Sequence, residues 1–186
     1  WGDLEERLPS VISRLRREME ELMNEPQLAV AIPPMREPVA TSADLTCHYL
    51  PAMIDPRDIA RSIPRVSPSP EKGDTRISVT VEPLPAETYP RELRLADLAR
   101  RLTETAFQNV ETVFIRAPWE STTVPLASYI NPREDYIILR TVSDLLGAAK
   151  PISRMSLAGQ VECLVFDRNG EAILCLWDDY ASPTGH

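Results

Sequence analysis

The stretch RELRLADLARRLTETAFQNVETVFIRAPW, residues 91–119, decides how the rest of the chain is read. A long amphipathic run, Arg91 to Val110, leads into a short apolar one, Glu111 to Ile115, which breaks at Arg116 and its Ala-Pro-Trp sequel. That order describes a helix packed on a sheet, then a buried strand whose far end opens into a loop. Asn109 tolerates the left-handed conformation that ends helices, so the helix is expected to stop there. In α/β proteins the loops beyond such strand ends are where function gathers.

Working outward, the segment RISVTV, residues 76–81, alternates and is β-branched, which makes it a strand ending at Glu82-Pro83. On the other side a long loop is expected to run to Ile130. Asn131-Pro132-Arg133-Glu134 then reads as a helix start, with a capping residue, a proline at the first helical position and a glutamate at the third. The helix should turn Ile138, Val142 and Leu145 inward and stop at Gly147. Strand, helix, strand, helix with short connections predicts parallel pairing through right-handed crossovers.

Two earlier strands precede these, Gln27 to Ile32 and Leu45 to Leu50. Asp55-Pro56-Arg57-Asp58 starts a short helix that ends near Ile63, before Pro64. This places His48 beside a strand, as a structural residue. Residues 66–74 (VSPSPEKGD) form the internal linker or exposed loop. At the N-terminus, Leu4, Leu8, Val11, Leu15, Met19 and Leu22 make a seam of threes and fours, the mark of an amphipathic helix. Pro9 interrupts it, so the firm helix is expected from Ser10. The seam either packs on the domain or zips to a second copy.

From Pro151 the character changes. Val161–Phe166 and Ala172–Trp177 flank Asp-Arg-Asn-Gly, a hairpin turning at Asn169-Gly170. A two-residue turn sets Cys163 beside Leu176 and Cys175 beside Leu164, on opposite faces, which excludes a disulfide between the two cysteines. Both faces of the hairpin are apolar, so cover on both sides is expected. The fold class is therefore α/β: a mostly parallel sheet with crossover helices over residues 1–150, then an antiparallel hairpin opening a β-domain over 151–186.

Composition narrows the function classes. Apolar content of 43% and charged content of 26% belong to a folded globular chain. A net charge of −8 disfavours nucleic acid, which needs a basic face, and no apolar run is long enough for a membrane. The basic pairs and triplets, Arg14-Arg16-Arg17 and Arg100-Arg101, sit among acidic residues and read as solvated helix faces. Six scattered glycines build no phosphate loop or dinucleotide fingerprint, so no cofactor is expected. Cys47, Cys163, Cys175, His48 and His186 lack metal-ligand spacing. With Trp1 at its start, the chain is expected to be a processed product or a piece of something longer.

The order of elements resembles a known architecture. ISVTVEP, then a helix, then TVFIRAPW, YIILRTVSDLLG and a hairpin ending in LCLW are similar to the C-terminal part of a glycoside-hydrolase-type (β/α)8 barrel entering its appended β-domain. The likeness covers Arg76 to Asp179. It implies a partial barrel, with Glu82 at the nucleophile position and Trp119 as the aromatic under the sugar. It would make Arg116 a substrate ligand, carbohydrate the partner and an extracytoplasmic site the setting. The family's second carboxyl lies on an earlier strand with no counterpart upstream, and the loop after Arg116 offers Glu120 in its place. Such chemistry needs two carboxyls about 5 Å apart and a ring for the sugar's apolar face. Three or four strand-helix units are too few to close a barrel of eight. A non-catalytic interaction module that self-associates through the first helix is the competing expectation.

Overall fold

A computed structural model describes residues 2–19, 27–32, 44–63, 76–108, 110–115, 119–124, 127–157 and 161–178; for 2–6, 8, 32, 119–124 and 127–131 it describes the backbone only. The chain begins with α1 (Gly2–Met19), then β1 (Ala29–Ile32) and β2 (Leu45–Leu50). A single 3₁₀ turn, Pro56–Asp58, runs into α2 (Ile59–Ser62), followed by β3 (Arg76–Val81), α3 (Arg91–Phe107) and β4 (Thr112–Ile115). β5 (Trp119–Val124) and β6 (Ala127–Pro132) precede α4 (Glu134–Leu146). Three last strands close the described chain: β7 (Lys150–Ser156), β8 (Val161–Arg168) and β9 (Glu171–Asp178).

β1 to β4 form one sheet in chain order, every pair parallel, as the alternation of strands and helices from β2 onward favours. Alternate residues of each strand share a face. Leu50, Val79 and Val81 point to the helices and build a core with Ile59 of α2 and Ile63 just after it, Leu98 and Leu102 of α3, and Ile138, Leu139 and Val142 of α4. β7, β8 and β9 form a separate antiparallel sheet. Leu164 and Phe166 of β8 pack there with Leu146, Ala106 and Phe107. The helical layer α3–α4 is thus shared, with one sheet on either side.

Several expectations are corrected. α1 runs through Pro9 from Gly2, although a proline at the eighth helical position removes one backbone hydrogen bond and crowds the preceding turn. Among its described side chains the buried one is Ile12, at 3% exposure, while the seam residues Val11 and Leu15 stand out at 48% and 40%. Leu22 lies outside the described residues, as does the expected linker at 66–74, and for Leu4 and Leu8 only backbone is described. The loop expected to reach Ile130 holds the antiparallel ribbon β5–β6 instead. That ribbon pairs Asn131 with Glu120 and Pro132 with Trp119, so α4 starts later, at Glu134, with Arg133 at the cap position and no side-chain cap bond. Glu134 and Asp135 still place negative charge in the first turn, where the helix dipole favours it. Leu146, not Leu145, is the residue α4 buries near its end. α3 closes at Phe107 with Gln108 as cap, before Asn109, which is not described.

The helix starting at Pro56 forms as read: Asp55 caps it by accepting the Arg57 N–H at 2.9 Å. The hairpin also forms as read. Asn169 and Gly170 take φ of 56° and 89°, Cys163 lies opposite Leu176 and Leu164 opposite Cys175. β7 adds a third strand, irregular at Pro151–Ser153, that alternation alone does not reveal. The helical layer covers the inner face of this sheet, whereas Met155, Leu174 and Leu176 on the other face remain exposed, against the expected cover on both sides.

Candidate functional site

The C-terminal rim of the parallel sheet is where a strand-end site would form, and its residues are tied to one another. β2 ends in the Pro51–Ala52 turn. The Ala52 N–H donates to Glu82 Oε2 at 3.1 Å, and the Ala52 carbonyl accepts from Arg101 Nη2 at 2.6 Å. Arg101 also donates to the Pro51 carbonyl at 3.2 Å and pairs through Nε with Asp97 at 2.5 Å. One turn is therefore clamped by the end of β3 and by α3 together. Glu82 serves this clamp, half-buried, and its own N–H continues the β2–β3 ladder to the Leu50 carbonyl at 3.0 Å. Burial lifts the Asp97 carboxyl above its ordinary value, against the pull of Arg101. Beside it, the hydrogen bond from Arg57 holds Asp55 below the usual carboxylate range.

The other predicted site residues are less fully placed. Trp119 and Glu120 open β5, opposite Pro132 and Asn131, with backbone described and side chains not; Arg116 lies outside the described residues. Glu82 stands at the end of β3, and Trp119 begins the ribbon after β4, so the two ends are consecutive along the chain's sheet order.

A second feature was not anticipated. The face of the parallel sheet away from α2–α4 carries exposed aromatics at its C-terminal end, while Ser78 in its middle is 2% exposed. Tyr49, Thr80 and Phe114 stand in one row across β2, β3 and β4, the two aromatics 42% and 54% exposed. In the next row Cys47, Ser78 and Thr112 lie side by side, and the Ser78 hydroxyl donates to the Cys47 sulfur at 3.1 Å. Parallel sheets are ordinarily covered on both faces, because crossovers or closure bury them. His48 points the opposite way, into the helical side. It is buried, its Nε2 has no partner among the described residues, and burial lowers its pKa. Its expected placement beside a strand holds.

Sequence reading missed the charged residues that α3 buries. Arg100-Arg101 is not a solvated pair: Arg101 is 1% exposed and Arg100 is buried on Glu162 at 2.7 Å. Glu104 is fully buried against Arg154 of β7, which also reaches Glu162 and lies over the Phe107 ring, 5.5 Å from its centroid. Burial raises the Glu104 carboxyl, with Arg154 opposing. The signal available was spacing, since Asp97–Arg101 and Arg100–Glu104 are both four apart. Among the described residues no three His, Cys, Asp or Glu side chains converge as metal ligands would, and no helix is long and apolar enough to cross a membrane. No family model matches the chain, and neither a curated protein nor a solved structure is found to be similar to it.

Proposed function

We propose that this chain is a non-catalytic assembly module, one that works by burying its open surfaces against other protein. The observation that carries the reading is the all-parallel four-stranded sheet with helices on one face and Tyr49 and Phe114 exposed on the other. Leaving such a face in water forfeits the burial that normally stabilises parallel sheets. The exposed Val11 and Leu15 of α1 offer a further apolar contact. At the rim, Glu82 and Arg101 are engaged in holding the Pro51–Ala52 turn, a stabilising task rather than a reactive one. Light scattering on the 186-residue chain over a wide concentration range tests the reading. An oligomer is expected, and a monomer throughout ends it.

A glycosidase-related reading is favoured by one specific observation, the carboxylate of Glu82 at the C-terminal end of a strand in a sheet wound in chain order. On that reading Glu82 is the nucleophile, Glu120 the second carboxyl, and Trp119 and Arg116 contact the sugar. Turnover of aryl glycosides that disappears in Glu82→Gln would support it. Equal background rates for chain and variant would sink it.

A further inference from the structure

The antiparallel sheet rests on the helical layer through a joint with two unlike ends. At one end Leu146 of α4 packs with Leu164 and Phe166 of β8. Arg168 donates there to the Asp144 and Leu145 carbonyls at 2.7 and 3.4 Å, satisfying the last turn of α4. The chain itself passes from α4 to β7 at this end, through residues 147–149. The other end is ionic. Arg100 of α3 holds Glu162 of β8 at 2.7 Å, and Arg154 of β7 reaches both Glu162 and Glu104 of α3. Among the described residues Arg100, Arg154 and Glu162 are the charged groups that act on Glu104.

The ionic end is incompletely satisfied. Glu104 is wholly buried; its Oε2 accepts from Arg154, whereas its Oε1 has no hydrogen-bond partner among the described residues. Trp177, opposite Glu162 on β9, likewise buries its indole Nε1 without one. Both atoms regain water when this end parts, so opening here is cheaper than unfolding the chain. The balance turns on one proton. An ionised carboxylate with a bare buried oxygen is far more expensive than the neutral acid. Protonating Glu104 strands no guanidinium, since Arg154 keeps 33% of its side chain exposed and retains Glu162. Burial therefore raises the Glu104 carboxyl against the attraction of Arg154 and Arg100, and the neighbouring Glu162 adds to the rise.

We infer that Glu104 is the latch of this joint: when it ionises, the ionic end of the antiparallel sheet swings off α3 while the apolar end stays hinged on α4. The closed joint binds the proton of Glu104 more tightly than the open one. Opening is therefore suppressed at low pH and becomes more frequent as pH rises through the folded value. Parting this end wets the row Arg154, Leu164 and Cys175 of the sheet and the Phe107 ring beneath Arg154. The latch works within one chain and needs no partner.

Cys175 reports the opening, being half-buried on the helix-facing side beside Leu164. Alkylation rates of the whole chain and of Glu104→Gln, compared at the same pH, share the same thiol ionisation, so their ratio reads the latch. From about pH 5 to about pH 8 the ratio of wild type to variant at Cys175 should rise about threefold or more. At Cys47, on the parallel sheet, the ratio should stay constant. If Glu104→Gln does not fold, Glu104→Gln/Arg154→Met, which removes both charges of the pair, replaces it under the same criteria. A ratio at Cys175 that is flat with pH overturns the latch. So does an equal rise at Cys47, which marks unfolding of the whole chain.

Discussion

Arg101 shows what one residue carries in this fold. Its guanidinium is taken from water and repaid by Asp97 and by the carbonyls of Pro51 and Ala52, a donor set that a lysine could not reproduce in plane. Removing one partner of a buried pair leaves the other charge uncompensated, which typically costs about 3–5 kcal/mol. Arg101→Met should destabilise the chain by that order in urea denaturation, and pairing it with Asp97→Leu should recover part of the loss. A single variant within about 0.5 kcal/mol of wild type would show that the clamp contributes little. The four-residue spacing of Asp97 and Arg101 was visible in the sequence. Their burial was not, because i and i+4 pairs look the same on a solvated helix.

At the scale of elements, legibility followed how local the deciding force was. The strands Leu45–Leu50 and Arg76–Val81 and the cap at Asp55 were read to the residue, since alternation and capping are set by neighbours in sequence. The β8–β9 turn is equally local. Gly170 holds φ of 89°, a conformation L side chains rarely adopt, although a Cβ at this position would meet nothing within 4 Å. Gly170→Val should therefore cost about 1–2 kcal/mol through backbone strain alone, read from thermal unfolding, with hairpin register unchanged. An unaltered midpoint would count against this. By contrast, the start of α4 was misplaced because Asn131 and Pro132 are drawn into β6, a pairing with residues 119 and 120 that a capping signal cannot foresee. β7 was missed for the same reason: Pro151 and the irregularity beside it blur alternation, and the partner strand β8 supplies the order.

For the whole molecule, the joint between the helical layer and the antiparallel sheet is partly ionic. Arg100 and Glu104 of α3 meet Glu162 and Arg154 across it, and Phe107 meets Phe166 edge-on at 5.7 Å. Burial raises the Glu104 carboxyl, so the folded chain holds a proton that the unfolded chain releases. The stability this group contributes is fully present below the unfolded value of about 4.3 and is lost as pH rises through the raised folded value. Glu104→Gln cannot titrate and should flatten that decline. Midpoints of thermal unfolding measured from about pH 4 to about pH 8 check it, and parallel curves for variant and wild type would refute the assignment. The candidate sites divide similarly. Glu82 was found at a strand end as read, whereas its engagement with Ala52 and the row of Tyr49, Thr80 and Phe114 emerge only from strand pairing.

By itself the sequence determined the α/β class, the parallel pairing of Arg76–Val81 with the strand after α3, the cap at Asp55 and the turn at Asn169-Gly170. Each follows from periodicity or backbone preference within a few residues. Only the tertiary structure decided that both sides of α3 are covered, that Arg100 and Arg101 lie inside, and that Tyr49, Phe114, Leu174 and Leu176 stand exposed. Exposure is a relation between elements distant in sequence, and a charged residue at a helix position carries no local mark of what will pack upon it.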